Sequence, residues 1–376
     1  MRAQLVADFE RFARALPRTW PDHVREAYAI DLRTQYLGQP VPHPIGKASG
    51  QLSLKAEQLE ADAEAGLAFV VLKTVIGEDA TGSRTMGAWA IHETKMKVEL
   101  RSFGGRAGWT VTWKGRGWDG TLEEYLALVR FGRDLTAAGG PLAVPSVKLH
   151  LPRLGEEFFR AEYAHTISAL ARAWGREPLL VEKDFSPTLA GAALGDEQRR
   201  ILRWIDEVPE HIRDAAPGET RVALKLMNAR FDDAFQVEML RRASRSSDAV
   251  TAFNRLWDPA LGVAYGGWEL SDRNLRVLRE ARVRGQLSGT GNVCSGRLVA
   301  DYARTGCGSV QLHTMFQLPL SAYPASAGSR TARTLHKLVF DPQDGLIVAM
   351  LDAEGRGELE RTAGELRFVD FGGHAP

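Results

Sequence analysis

Cysteine is scarce in this 376-residue chain: Cys294 and Cys307 are the only two, and neither sits in a CxxC or CxxH pairing. That argues against a disulfide framework and against a thiolate zinc centre, and a reducing, cytoplasmic setting is the expectation. Long apolar runs are missing as well. None approaches the ~20 residues that a membrane helix needs, so no integral membrane segment is expected. Nor is there an excess of one charge, because 48 Lys+Arg face 47 Asp+Glu. Without a global field, nucleic acid is not an expected partner. His150, His165 and His211 stand isolated, so no metal site is expected. A Walker sequence, a Gly-x-Ser-x-Gly elbow and a GxGxxG after the first strand are all absent, which argues against the chemistries those motifs carry.

What the chain does have is alternation. Residues 1–40 open with an amphipathic helix in which Leu5, Phe9, Phe12 and Leu16 share a face and Arg2, Arg11, Arg14 and Arg18 ring the rest. It lacks the apolar core of a signal peptide, and packing against the domain is expected before docking on a membrane surface. From residue 41 to 319, apolar strand-like runs alternate with amphipathic helices about eight times. "LAFVVLKTV" at 67–75 is a continuous β-branched run of the kind buried on both faces of a parallel sheet. The segment 76–108 reads as irregular. The expected fold class is α/β, a (β/α)8 TIM barrel with an N-terminal helical extension. Residues 320–376 break the rhythm: a Ser/Ala/Pro-rich linker and two Gly-containing turns between apolar runs predict a small C-terminal β-hairpin or meander.

In such barrels chemistry sits where strands end. The last two strands end in Ser288-Gly289-Thr290-Gly291-Asn292 and Gln311-Leu312-His313-Thr314, small and polar residues that suit a phosphate cup. Lys73 and Lys225 interrupt apolar strands, which is costly unless each ammonium meets an anion or a polar group. Lys148 is a third candidate of that kind. Asn254 ends another strand, Gly266 and Gly267 follow in a loop, and Ser186 precedes a proline at a fourth strand end.

Taken in order, these strand ends resemble the dihydroorotate dehydrogenase family, FMN-dependent barrel oxidoreductases that include the related domain of dihydropyrimidine dehydrogenase. The likeness spans about residues 40–318. It implies flavin contacts at Ala48, Ser49 and Gly50 in "HPIGKASG", at Lys73 and Thr74 in "VVLKTV", at Lys225 in "VALKLMN" and at Gly266 and Gly267 in "YGGW". It implies that the two late loops hold the FMN phosphate through Gly289, Gly291, Asn292, His313 and Thr314. The family's acid/base loop is similar to Lys183-Asp184-Phe185-Ser186-Pro187-Thr188, with Ser186 at the catalytic position and Asp184 a candidate to assist it. Asn254 then falls at a substrate position, as do Lys183, Thr188 and Thr112, where the family carries asparagines.

The implied activity is a dehydrogenase acting on CH–CH groups, passing a hydride between FMN and a small, pyrimidine-like substrate. The resemblance leaves open a quinone acceptor, peripheral membrane association and a homo-oligomer. Each unmatched N–H or C=O on a pyrimidine costs ~1–3 kcal/mol, so the missing asparagines count against orotate without counting against flavin. The alternative is an altered, non-catalytic barrel that binds FMN or another phosphorylated ligand.

Overall fold

The computed structural model describes residues 1–84, 95–103, 105–115, 117–185 and 194–374. Two helices, α1 (Arg2–Phe12) and α2 (Trp20–Tyr28), lead into three short strands, β1 (Ile30–Asp31), β2 (Thr34–Tyr36) and β3 (Gln39–Val41). The alternating region begins with β4 (Ile45–Lys47), α3 (Ala56–Glu64), β5 (Phe69–Val71) and β6 (Val75–Ile76). A long hairpin follows, β7 (Lys95–Phe103) and β8 (Arg106–Lys114), then α4 (Leu122–Ala137), β9 (Leu142–Val144), β10 (Ser146–Lys148), α5 (Arg160–Trp174) and β11 (Leu179–Asp184). Next come α6 (Leu194–Ala215), β12 (Thr220–Lys225), α7 (Asp233–Ser246), β13 (Ala249–Ala252), β14 (Leu256–Asp258), β15 (Val263–Gly266) and α8 (Trp268–Ala281). The chain ends with β16 (Gln286–Gly289), α9 (Gly296–Arg304), β17 (Cys307–Leu312), α10 (Arg330–Phe340), α11 (Leu346–Gly355) and β18 (Leu366–Arg367).

Ten of these strands form one curled parallel sheet, in the order β6-β10-β11-β12-β13-β16-β17-β4-β5-β9. Val310 of β17 registers with Ile45 of β4, Phe69 of β5 with Leu142 of β9, and Val147 of β10 with Val75 of β6. β9, the last strand of that order, and β10, its second, flank Pro145 alone in sequence. Proline has no N–H to give a ladder, and the strand breaks there. Its carbonyl still accepts from Glu182 N at 2.9 Å. The strands FVV, LAV and AVTA are buried throughout, as parallel strands under helices must be.

The helices cover the sheet in sequence order, each of α3 to α8 packing on the next. Their starts are set locally: Thr121 and Glu124 form a capping box for α4, and the Asp232 side chain accepts from Phe235 N to begin α7. Inside the sheet, Tyr36 from the β2–β3 hairpin stacks on Phe69 at 4.0 Å between ring centres.

Three expectations change. The segment read as irregular contains β7, which pairs antiparallel with β8 over nine residues from Lys95↔Lys114 to Phe103↔Arg106. With β14 and β15 these strands make a second, four-stranded antiparallel sheet, β14-β15-β8-β7. The N-terminal extension is not purely helical, since β1, β2 and β3 fall between residues 30 and 41. The C-terminal β appendage is overturned: its apolar runs are α10 and α11, and among the described residues of the tail only the two of β18 form a strand, pairing with β1. α11 opens with "LIVAM", five apolar residues that are all buried, and periodicity cannot tell such a run in a helix from one in a strand. Ser329 starts α10 by accepting from Ala332 N.

The two chain ends pack together. α1 lies on α10, and His336 Nε2 is 2.7 Å from the Phe9 carbonyl oxygen. At the foot of α10, Thr331 and Lys47 both reach the buried carboxylate of Asp62.

Candidate functional site

The C-terminal ends of the parallel strands open into one cleft of about 1130 Å³ counting its mouth, roofed by the antiparallel sheet. Every strand from β4 to β17 that the sequence singled out delivers a residue to it. Ala48, Ser49 and Gly50 follow β4, Lys73 and Thr74 follow β5, Lys148 ends β10 and Asp184 ends β11. Lys225 ends β12, Asn254 follows β13, Gly266 ends β15, Gly291 and Asn292 follow β16, and His313 and Thr314 follow β17. From the roof come Val111, Trp113 and Trp257.

The electrostatics of the cleft are lopsided. Lys225 is fully buried, its Nζ 3.4 Å from Glu182 and 3.1 Å from Gln311 Oε1. Lys148 pairs with Asp184 at 3.5 Å. Lys73, 7% exposed, has no carboxylate partner among the described residues; its ammonium lies 4.9 Å from the Trp113 ring centre. Burial, reinforced by the nearby Lys148 and Arg255 charges, brings its pKa down to about 7. Arg255 also lies over Trp113, at 5.6 Å, and its Nη2 is 3.0 Å from His313 Nδ1. Burial lowers the Arg255 pKa to about 10. Burial and then the Arg255 charge hold His313 well below its ordinary value, so its ring is neutral and Nδ1 can accept.

Asp184 carries the opposite balance. Burial pushes its carboxyl up, but Lys148, Lys225 and Lys183 together outweigh burial and the net direction is down. Its Oδ1 is buried without a hydrogen-bond partner among the described residues. The loops after β16 and β17 are similarly incomplete. Among the described residues, no protein acceptor takes the backbone N–H of Gly291, Asn292, His313 or Thr314. Asn292 is held in left-handed backbone, φ +64°, and its Nδ2 donates to the Trp109 carbonyl oxygen at 2.7 Å, tying the loop after β16 to the roof. Gly50 is required by close approach: a Cβ there would lie 2.3 Å from the His313 ring.

Not every expected residue joins the cleft. Lys183 lies off it: side chains alternate along β11, so Glu182 and Asp184 face inward and Lys183 faces away. There its Nζ donates to the Asp184 carbonyl oxygen at 3.0 Å and sits 4.6 Å from the Phe185 ring centre. Thr112 is excluded by the same period of two, because Val111 and Trp113 are the cleft-facing positions of β8. A Cβ on Gly289 would meet the Tyr302 ring at 2.4 Å, so this glycine serves the packing of α9. Gly267 is the N-cap of α8. Ser186 and Thr188 lie outside the described residues.

Sequence reasoning missed Trp113, Trp257 and Arg255. For Trp113 the signal was present in the alternation of "TVTW". Arg255 had a weaker one, a cation directly after a strand-ending asparagine. With this geometry in view, the chain has no shown family: no protein-family model matches it, and no curated protein matches it.

Proposed function

We propose that the protein is an FMN-dependent oxidoreductase with a barrel like that of the dihydroorotate dehydrogenase family. The observation that carries this reading is the convergence on one cleft of Lys73 and Lys225 with the unpaired N–H groups of two loops, Gly291-Asn292 after β16 and His313-Thr314 after β17. In the same reading β5 with β6, and β9 with β10, are single interrupted strands, and the curled sheet is an eight-stranded (β/α) barrel.

The residues present suit the group chemically. Backbone donors at Gly291, Asn292, His313 and Thr314 would hold the phosphate. Ala48, Ser49, Thr74 and Gly266 would line the ring, with Lys73 and Lys225 beside the part that gains negative charge. When bound, FMN supplies hydride transfer to or from a substrate carbon. The rest is done by the chain. Lys73, uncharged in part near neutral pH, regains its full charge next to an anion. Glu182 and Gln311 fix the Lys225 ammonium. Asp184 Oδ1 is left to accept a hydrogen bond from a ligand. Ser186 is the candidate acid/base, two residues beyond Asp184.

A second reading, a barrel that binds FMN or another phosphorylated ligand without turnover, is favoured by Lys183, which lies away from the cleft. One experiment separates the two. Purified protein should carry or take up FMN and show the yellow two-banded flavin spectrum, and the flavin should be reduced by a substrate in a manner that Ser186→Ala slows. Colourless protein that ignores added FMN would reject both flavin readings, and stable FMN binding with no Ser186-dependent reduction would leave the binding barrel.

A further inference from the structure

The reading above uses Lys73 and Lys225 and leaves a third cation without a task. Arg255 has no carboxylate partner among the described residues. It is nevertheless held in place: Nη2 meets the neutral His313 ring at 3.0 Å, that ring fills the space left by the absent side chain of Gly50, and the guanidinium lies over Trp113. A guanidinium has five N–H donors in a rigid fork whose geometry matches a carboxylate. One face of the fork is used by His313, and no other protein acceptor takes the rest among the described residues.

The carboxamides tell the complementary story. Asn228 and Asn274 are committed to backbone and to each other: Asn228 Nδ2 donates to Asn254 O and Asn274 Nδ2 to Phe253 O. Asn292 is committed to Trp109. Asn254 is the one cleft-lining carboxamide whose side chain is unpaired among the described residues. A neutral ureide ring, which shows several N–H and C=O groups, would find one amide and an excess of positive charge. An acid would find the opposite, a fixed guanidinium over an indole.

We propose that Arg255 is a specificity-determining residue that takes the carboxylate of the substrate, and that the substrate class is a small planar carboxylic acid recognised by charge and by stacking beside Trp113, not by a ureide edge. The redox role of that acid rests on the flavin reading; the anion site itself does not.

The test is calorimetric titration of the purified full chain, both as isolated and saturated with FMN, using matched pairs: benzoate and benzamide, nicotinate and nicotinamide, orotate and uracil. The acid of a pair should bind at least about tenfold more tightly than its neutral partner. Arg255→Gln should shrink that preference to within about threefold while leaving FMN affinity within about threefold of the parent. Arg255→Lys, which keeps charge without the fork, should fall between the two. Equal binding of acid and neutral partner by the parent protein would overturn the proposal, as would failure of every acid to bind. So would Arg255→Gln losing FMN affinity as much as acid affinity, which would assign Arg255 to the phosphate. If Arg255→Gln does not fold, the parent comparison and Arg255→Lys still decide. Acid preference that depends on Arg255 in a protein that takes up no FMN would reject the flavin reading and keep this one.

Discussion

The Lys225 ammonium and the Glu182 carboxylate face each other at 3.4 Å inside the parallel sheet, on adjacent strands and both out of reach of water. Glu182 also accepts from Gln311 and lies within 3.4 Å of the Tyr36 and Thr251 hydroxyls, so the pair is the centre of a polar cluster within the apolar parallel sheet. Breaking such a pair from one side strands the other charge. Glu182→Gln is expected to lower unfolding stability by about 3 kcal/mol. Adding Lys225→Met should recover part of that loss, read as the urea midpoint of the double variant against the two singles. Simple additivity of the two losses would show that the charges do not act as a pair.

Lys73 predicts a pH dependence. Its folded pKa, about 7, lies below the unfolded value of 10.5, so the unfolded state binds the extra proton between those values. Stability therefore carries the full penalty of the buried charge below pH 7, and the penalty is relieved as pH rises toward 10.5. Lys73→Met removes the penalty. In ligand-free protein the variant should be the more stable one at pH 6, by at most about 5 kcal/mol, with the advantage vanishing above pH 10. Thermal denaturation across that range checks the sign. A variant less stable than the parent at pH 6 would mean that the ammonium has an anionic partner in the free protein.

Gly50→Ala puts a methyl group 2.3 Å from His313 Cδ2 and 2.4 Å from Nε2, so the ring must move. The fold should tolerate this at a cost of about 1–2 kcal/mol. The larger expected effect is on ligand binding, a loss of about tenfold in acid affinity as Arg255 loses its partner, measured by the same titrations. Unchanged affinity would detach His313 from the site.

Trp113 is the surface on which both unpaired cations lie, at 4.9 Å for Lys73 and 5.6 Å for Arg255. Trp113→Leu keeps an apolar side chain and deletes the ring quadrupole, which is worth about 0.5–2 kcal/mol per cation. Ligand-induced changes in tryptophan fluorescence should disappear in this variant, and acid affinity should fall. Retained fluorescence changes would place the reporting indole elsewhere.

Asp62 tests the C-terminal helices. Its carboxylate is buried with Lys47 from β4 and Thr331 from α10. Thr331→Val should cost about 1–3 kcal/mol through the lost hydrogen bond to a charged group, and hydrogen exchange should accelerate in α10 before it does in the parallel sheet. Uniform acceleration would mean that α10 and the sheet unfold as one unit.

How much of this was readable from the residues alone depends on the kind of signal. Lys73 and Lys225 were legible because a lysine inside an apolar strand needs a reason wherever the strand lies. The glycine, asparagine, histidine and threonine endings after β16 and β17 were legible because backbone conformation is a local property. Lys183 and Thr112 were misplaced for one shared reason: a one-residue shift in strand register exchanges the two faces, and register is set by neighbouring strands. The tail was misread because a run such as "LIVAM" satisfies a buried helix and a buried strand equally well.

The alternation of strands and helices, the balance of charge and the positions at which strands stop were thus fixed by the residues themselves, since each follows from local periodicity and turn chemistry. Only the tertiary structure decided that the 95–114 hairpin roofs the strand ends, that Trp113 lies under two cations, and that Arg255 meets His313 across 58 residues of chain. Those contacts depend on which faces meet and on what charge is left unpaired when they do, and neither quantity exists until the chain has closed on itself.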